Sequence, residues 1–352
     1  MTSLADVLTL VAIDSVSGNE AALCAHVEQR LRSNPHLEVV RIGDNVVART
    51  SQGAPTRVVI AGHLDTVPGD ASGARIEGDV LHGVGACDMK ASLAGMLDLA
   101  SSGEAFPVDV TWVFYAREEI ARSASGLLEI ARERPDLLEG EVAVVGEPTN
   151  GVVEAGCQGT LRVALTLRGR RAHVARAFTG VNAIHRLAPV LARVAAYEPR
   201  VITIDGCTYT EQLQAVHVSG GIANNVVPDE VVVTLNHRVA PDRDDVVALG
   251  HLRSLLGDTV SDADTIEVHD WAPAAPPALS NDHLARLVQA TGQPALAKVG
   301  WTDVATMQSL GVPATNFGAG DPLLAHRSDE HVTASQLDAF VTTLSAWLRA
   351  GA

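Results

Sequence analysis

The pattern of apolar residues changes partway along the chain, and this change is the strongest constraint on its fold. Before residue 158, nearly continuous apolar stretches such as residues 57–61, 110–116 and 142–145 alternate with helical patterns. Such strands are typical of an α/β sheet that is covered by helices on both faces. Between residues 158 and 268, stretches such as 161–167 and 230–236 instead alternate apolar and polar residues, which indicates antiparallel strands with one exposed face.

This change predicts one domain inserted into another. Residues 1–157 and 269–352 would form a split α/β domain, and residues 158–268 an inserted α+β domain with one helix near residues 181–197. The length of 352 residues agrees with two domains of about 150 residues each.

Helices are also predicted in the first part of the chain. One is indicated by the helical spacing of four apolar residues, Leu4, Val7, Leu8 and Val11. Ser17 and Glu20 form a capping-box pattern that predicts the start of a second helix. A further helix is expected to begin at Asp88.

Composition and charge exclude several classes of protein. The chain has 42 acidic and 26 basic residues, a net charge of −16, which argues against binding to nucleic acid or to an anionic membrane surface. It has no apolar run of 18 residues, and its four cysteines are too widely spaced for a thiolate zinc knuckle. The first basic residue is Arg30, so no secretory signal is expected and the protein is predicted to be cytoplasmic.

One segment departs from this acidic composition. Residues 155–197 contain no aspartate or glutamate but seven arginines, namely Arg162, Arg168, Arg170, Arg171, Arg176, Arg186 and Arg193. Most of these arginines would individually suit a solvated surface. As a local cluster they favour a small anionic substrate that carries carboxylates.

Histidines and carboxylates follow the ends of the predicted apolar strands. In open α/β sheets, ligands bind at the carboxyl ends of the strands, so these side chains are expected to meet at one edge. The set consists of His63, Asp88, Glu118, Glu119, Glu147 and His326.

Two imidazoles with several carboxylates suit zinc, or cobalt or manganese. They exceed what one tetrahedral zinc needs, which favours a site for two metals. Asp65 is spaced to accept the second N–H of the His63 imidazole. Of the neighbours Glu118 and Glu119, one would bind metal and the other act as a base. Taken singly, each residue also has a structural explanation, such as Asp88 capping a helix.

Several motifs together resemble the dinuclear-zinc amidohydrolases, a family that includes acetylornithine deacetylases, succinyl-diaminopimelate desuccinylases, aminoacylases and glutamate carboxypeptidases. The resemblance lies in residues 62–68, 85–90, 118–119, 146–148, 220–230, 316–320 and 325–326. It implies a zinc-peptidase-like mixed-sheet catalytic domain with an inserted α+β domain that serves as a lid and forms a homodimer.

The resemblance also implies roles for individual residues. His63 and Glu147 would bind one zinc, Glu119 and His326 the other, and Asp88 both, with cobalt able to replace zinc. Glu118 would be the general base, and Asp65 would orient His63. His173 would stabilise the oxyanion, often across a dimer interface, although it lacks the Ser and Pro that usually follow it. Substrate-binding positions would be Asn224, Asn225, Arg238 and Thr302.

Within the family, three segments most resemble the actinobacterial desuccinylases: residues 154–163, 237–243 and 300–304. They imply hydrolysis of N-succinyl-L,L-diaminopimelate to succinate and L,L-diaminopimelate, a step of lysine and diaminopimelate biosynthesis. Trp301, at a normally small position, leaves the acyl specificity open. Two alternatives remain: another hydrolase of the family, such as an acetylornithine deacetylase or a carboxypeptidase, and a metal-free binding protein on the same fold.

Overall fold

Helices and short strands alternate through much of the chain in the computed structural model, which describes residues 2–69 and 73–352. The α-helices, numbered in chain order, are α1 Leu4–Val11, α2 Ala21–Arg32, α3 Ala91–Ser101, α4 Gly126–Glu133, α5 Ala183–Ala195, α6 Asp245–Leu256, α7 Asp282–Thr291, α8 Val304–Ser309 and α9 Ala334–Arg349. No helix among the described residues is long and apolar enough to cross a membrane.

The strands form one large sheet, a second sheet of four strands and three small ones. Numbered in chain order, they are β1 Glu38–Ile42, β2 Asn45–Arg49, β3 Arg57–His63, β4 Arg75–Glu77, β5 Val80–His82, β6 Asp109–Tyr115, β7 Val142–Val145, β8 Glu154–Ala155, β9 Gly159–Arg168, β10 Ala172–His173, β11 Val201–Ile204, β12 Cys207–Thr210, β13 Gln212–Gly220, β14 Val226–Val227, β15 Glu230–Val239, β16 Thr265–Ala272, β17 Leu296–Ala297, β18 Ala314–Asn316 and β19 His331–Thr333.

The large sheet is mixed, with eight strands in the order β1-β2-β6-β3-β7-β18-β8-β17. Its central strands β6, β3, β7 and β18 run parallel to their neighbours in this group. In register, His63 at the end of β3 pairs with Tyr115 at the end of β6. The carboxyl ends of these strands therefore lie along one edge of the sheet.

Helices cover both faces of this sheet, as the apolar strands predict. In β3, Val58 and Ile60 pack into a core that includes residues of α1, α2, α3, α7 and α9. The alternate residues Val59 and Ala61 pack on the other face into a core that includes residues of α4 and α8. Because both faces of the strand are buried, its sequence is almost uninterruptedly apolar.

The second sheet is antiparallel, with strand order β13-β15-β9-β16. Apolar residues at alternate positions of β9, such as Leu161 and Val163, pack with α5 and α6 on one face. Helix α6 was missed by the sequence analysis, because Val246 and Val247 are exposed and blur its apolar stripe. The boundaries of the inserted domain, at residues 158 and 268, stay a prediction.

Two local predictions are wrong. Helix α2 does begin at Ala21, but Glu20 makes no side-chain cap at its N-terminus. The Ser17 hydroxyl instead donates to Asp65 Oδ2 at 2.7 Å, so a distant carboxylate replaces the capping box. Asp88 does not begin a helix either, since it lies with non-helical dihedral angles in an irregular turn, Ala86–Lys90, that precedes α3.

The core beneath the large sheet provides a test of stability. Phe340 of α9 is buried and its ring lies 5.6 Å from that of Phe317, between centroids. We expect Phe340→Ala to lower the free energy of unfolding by about 3–5 kcal/mol, because it leaves a cavity. Denaturant titration measures this change. The control Asp338→Ala, at an exposed position of the same helix, should change it by less than about 0.5 kcal/mol, and equal effects of the two variants would contradict the packing.

Candidate metal centre

The polar residues singled out in the sequence do meet at the carboxyl edge of the large sheet. His63 is the last residue of β3, Glu118 and Glu119 follow β6, and Glu147 follows β7. Two loops complete the group: the turn before α3 contributes Asp88, and the segment after β18 contributes His326. These positions follow from the parallel register of the central strands.

The Asp88 carboxylate lies between the two histidines. Its Oδ1 is 3.1 Å from His63 Nε2, and its Oδ2 is 3.4 Å from His326 Nε2. His326 Nε2 is also 2.9 Å from Glu119 Oε1, and His63 Nε2 is 3.9 Å from Glu147 Oε1. Two imidazole–carboxylate pairs thus share one central carboxylate.

The chemistry of this group fits divalent metal ions. Ligand atoms of His63, Asp88 and Glu119 all lie within 4.8 Å of one another. Glu147 Oε1 is buried and has no hydrogen-bond partner among the described residues. Buried imidazole and carboxylate groups in such a cluster are the donors that zinc and similar metals prefer.

The pKa values of the cluster also indicate that positive charge stabilises it. Hydrogen bonds to Asp88 and Glu119 raise the pKa of His326 to about 10. Burial, with the nearby Asp88 carboxylate, raises the pKa of Glu147 to about 7. Although burial alone opposes it, hydrogen bonds from His326 and His63 lower the pKa of Asp88 below its ordinary value. A bound cation would stabilise the same carboxylates that protons stabilise here.

Asp65 orients the site differently from the prediction. The ring atom His63 Nδ1 lies 3.0 Å from the main-chain carbonyl oxygen of Asp65, and 3.6 Å from its carboxylate. The carboxylate accepts the backbone N–H groups of Glu118, at 2.9 Å, and Glu119, at 3.0 Å. Asp65 therefore holds His63 through its backbone and orders the Glu118–Glu119 turn through its side chain.

Glu118 and Glu119 differ in their surroundings. Glu119 contacts His326, whereas no hydrogen bond or ion pair of the Glu118 side chain is found among the described residues. Burial, with the nearby Glu147 carboxylate, raises the pKa of Glu118 well above its ordinary value. The two glutamates therefore differ in their contacts, and the assignment of one to metal and the other to the role of base stays a prediction.

A cavity of about 780 Å³ extends from this cluster to the second sheet. Glu118, Glu119 and His326 line one side of it. Residues of β9, β15 and β16 line the opposite side, among them Thr160, Arg162, Arg238 and Asp270. The cavity therefore carries charges of both signs on each side, with Arg122 beside the two glutamates and Asp270 beside the two arginines of the second sheet.

The predicted substrate-binding residues are only partly in this cavity. Arg238 lines it and donates a 2.6 Å hydrogen bond to the Thr160 hydroxyl. The Thr302 hydroxyl is buried and donates to Asn316 Oδ1 at 2.8 Å. His173 ends β10 and is exposed, as are Asn224 and Asn225, and Val174 N donates to Asn225 O. None of these three lines the cavity of its own chain.

Most arginines of the acid-free segment are neutralised by acids from elsewhere. Arg168 contacts Glu230, and Arg171 pairs with Asp229 at 3.1 Å. Further pairs join Arg186 to Asp264 and Arg193 to Asp258. Of the seven arginines, Arg162 is the one that lines the cavity.

Three buried charged residues of the site were missed in the sequence. Glu330 accepts the backbone N–H groups of Gly85, Cys87 and Asp88 at 2.9–3.0 Å, and so fixes the Asp88 turn. It follows Arg327, Ser328 and Asp329, a polar stretch typical of a surface loop, so the sequence gives no sign that Glu330 is buried.

The other two are lysines. Lys298 pairs with Glu154 at 2.7 Å and donates to the carbonyl of Pro148, next to Glu147. Lys90 Nζ donates to Ile13 O at 2.9 Å. They are the only two lysines in the chain, and both are buried. In a chain whose other basic residues are arginines, the two lysines could have been singled out as candidates for a buried role.

Comparison of the sequence with those of known proteins identifies relatives of this chain. The chain is 48% identical over 342 residues to a putative succinyl-diaminopimelate desuccinylase of Mycobacterium tuberculosis, covering 96% of each chain. It is 42% identical over 347 residues to a succinyl-diaminopimelate desuccinylase of Corynebacterium glutamicum, covering 96% of this chain and 94% of that one.

Its fold is also similar to that of solved structures. The aminopeptidase PepT of Bacillus cereus superposes with a TM-score of 0.79 at 18% sequence identity, covering 98% of this chain and 97% of that one. The sequence model of peptidase family M20/M25/M40 matches residues 59–350. The chain therefore belongs to peptidase family M20/M25/M40, a family of metal-dependent hydrolases.

Proposed function

We propose that this protein hydrolyses N-succinyl-L,L-diaminopimelate to succinate and L,L-diaminopimelate, in cytoplasmic lysine and diaminopimelate biosynthesis. The observation that carries the proposal is the cavity that joins the histidine–carboxylate cluster to Arg238. Arg238 has no carboxylate within ion-pair distance among the described residues, so its charge is available to a substrate carboxylate. The names of the M. tuberculosis and C. glutamicum relatives support the same substrate.

The proposal assigns two zinc ions to the cluster, with cobalt as a substitute. His63 and Glu147 would hold one ion, Glu119 and His326 the other, and Asp88 both. The contacts of Asp88 with both histidines support this division. When bound, such ions polarise the amide carbonyl and make a water molecule more acidic.

Glu118 acts as the general base in the proposed reaction. Its carboxylate takes a proton from water while the water oxygen bonds to the amide carbon. The carbon–nitrogen bond then breaks, and Glu118 gives the proton to the leaving amine. The Asp65 carboxylate holds the Glu118 backbone N–H at 2.9 Å and so positions this base. Burial without an ion-pair partner makes the Glu118 carboxylate a stronger base than one in water.

A homodimer would supply the rest of the site. Strand β13 is an edge strand of the second sheet, and it exposes Val216 and Val218. Phe178, also within residues 158–268, is 86% exposed. An exposed apolar edge strand favours pairing with another copy. Pairing there would let the lid, residues 158–268, bring His173, Asn224 and Asn225 to the partner's cavity, where His173 stabilises the oxyanion.

The substrate is tested with a panel. We expect zinc-loaded protein to hydrolyse N-succinyl-L,L-diaminopimelate with kcat/KM at least about 10-fold above that for N-acetylornithine and N-acyl amino acids, a difference worth ~1.4 kcal/mol. Preference for acetylornithine would contradict the proposal and favour a deacetylase. Purified protein without activity and without bound metal would favour a binding protein.

The base is tested by Glu118→Gln. This change removes the proton acceptor but keeps the size of the side chain, so kcat should fall by about 10²–10⁴-fold while metal analysis finds the metal retained. The neighbouring variant Glu119→Gln is the matched control. It removes a proposed metal ligand that contacts His326, so it should lose bound metal. Turnover near that of the wild type in Glu118→Gln would rule out this base.

The dimer is tested by Val218→Asp, which places a charge on the exposed edge strand. Light scattering should show a monomer, and kcat should fall by about 10²-fold or more because the partner's His173 is lost. Val246→Asp, at an exposed position of α6, should leave a dimer with unchanged kcat. A dimeric Val218→Asp protein would place the interface elsewhere.

A further inference from the structure

Two neighbouring rows of side chains from the second sheet face the cavity. In the first row, Thr160 of β9 is in register with Arg238 of β15. In the next row, two residues further along β9, Arg162 is in register with Asp270 of β16. Because a strand advances about 3.4 Å per residue, the two rows are roughly 7 Å apart. The residues between them, such as Leu161, point into the core on the other face.

Arg162 lacks the close carboxylate contact that four other arginines of its segment make, namely Arg168, Arg171, Arg186 and Arg193. Its nearest carboxylate oxygen is Asp270 Oδ2 at 3.8 Å, which is too far for a hydrogen bond. Among the described residues, no acceptor within hydrogen-bond distance of its guanidinium is found. By contrast, Arg168 on the same strand contacts Glu230. The guanidinium of Arg162, which carries five N–H donors, thus lines the cavity with no hydrogen-bond acceptor from the described part of the chain.

A purely structural role explains this pair poorly. The side chains of Arg162 and Asp270 are 46% and 39% exposed, and an ion pair this exposed adds little to the stability of a fold. A site for one substrate carboxylate would need the arginine alone, and the nearby aspartate would weaken it. A positive and a negative group side by side instead complement a ligand that carries both charges.

An α-amino-acid head group is such a ligand, since its carboxylate and ammonium share one carbon atom. The proposed substrate carries this group at the end far from the amide bond. We propose, building on the proposed function, that Arg162 binds the distal carboxylate and Asp270 the distal ammonium, so that the pair selects substrates ending in an amino acid. The Arg238 row remains available for a second carboxylate of the same molecule.

Four substrates test the proposal, because together they remove each distal group separately. They are N-succinyl-L,L-diaminopimelate, N-succinyl-L-2-aminopimelate without the distal ammonium, N-succinyl-L-lysine without the distal carboxylate, and N-succinyl-L-norleucine without either. Each is assayed with the zinc-loaded wild type, Arg162→Gln and Asp270→Asn. The control Arg168→Gln removes the same charge from the same strand outside the cavity.

We expect Arg162→Gln to lower kcat/KM about 10- to 100-fold for the two substrates with a distal carboxylate, mainly through KM, and to leave N-succinyl-L-lysine unchanged. Asp270→Asn should act in the same way on the two substrates with a distal ammonium. Arg168→Gln should change none of them.

Other patterns would overturn the inference. If Arg162→Gln affects all four substrates equally, or none, the pair does not bind the distal group, although wild-type hydrolysis of the diaminopimelate substrate would still uphold the proposed function. If the wild type hydrolyses none of the four, both proposals fail.

Discussion

The buried carboxylate of Asp65 is the contact on which the arrangement of the site depends. It accepts hydrogen bonds from the Ser17 hydroxyl and from the backbone of Glu118 and Glu119. A buried charge is costly unless such donors satisfy it, so the segment before α2 and the turn after β6 are drawn to the end of β3. This one group therefore fixes the turn from which Glu119 contacts His326 while Glu118 lines the cavity without such a contact.

The positions of the candidate ligands were predictable because they depend on strand pattern. Apolar runs identified β3, β6 and β7, and polar residues after each run had to meet at one edge. The wrong prediction at Ser17 has a long-range cause, since its hydroxyl donates to Asp65, 48 residues away, instead of capping its own helix. Glu330 was missed for a similar reason, because the backbone groups it holds lie about 240 residues earlier.

The arginine-rich segment shows how far charge along a sequence differs from charge in space. Antiparallel pairing places Glu230 of β15 beside Arg168 of β9. Packing of α5 brings Arg186 to Asp264, just before β16. The acidic partners lie outside residues 155–197, so the composition of that segment alone could not predict the pairing. What reaches the cavity is a smaller and more specific feature, Arg162 beside Asp270 and, one row away, Arg238. The charges that line the cavity are thus those that the fold leaves without a close partner.

The two lysines have a practical consequence for work with this protein. Lys90 lies two residues after Asp88, and Lys298 donates to the carbonyl of Pro148 beside Glu147. Because both lysines are buried, the folded chain presents no exposed side-chain amine. Acylating reagents and amine-directed cross-linkers then react with these lysines only when the surrounding loops open. The extent of lysine labelling therefore reports local opening around the candidate metal centre, without a spectroscopic probe or an engineered tag.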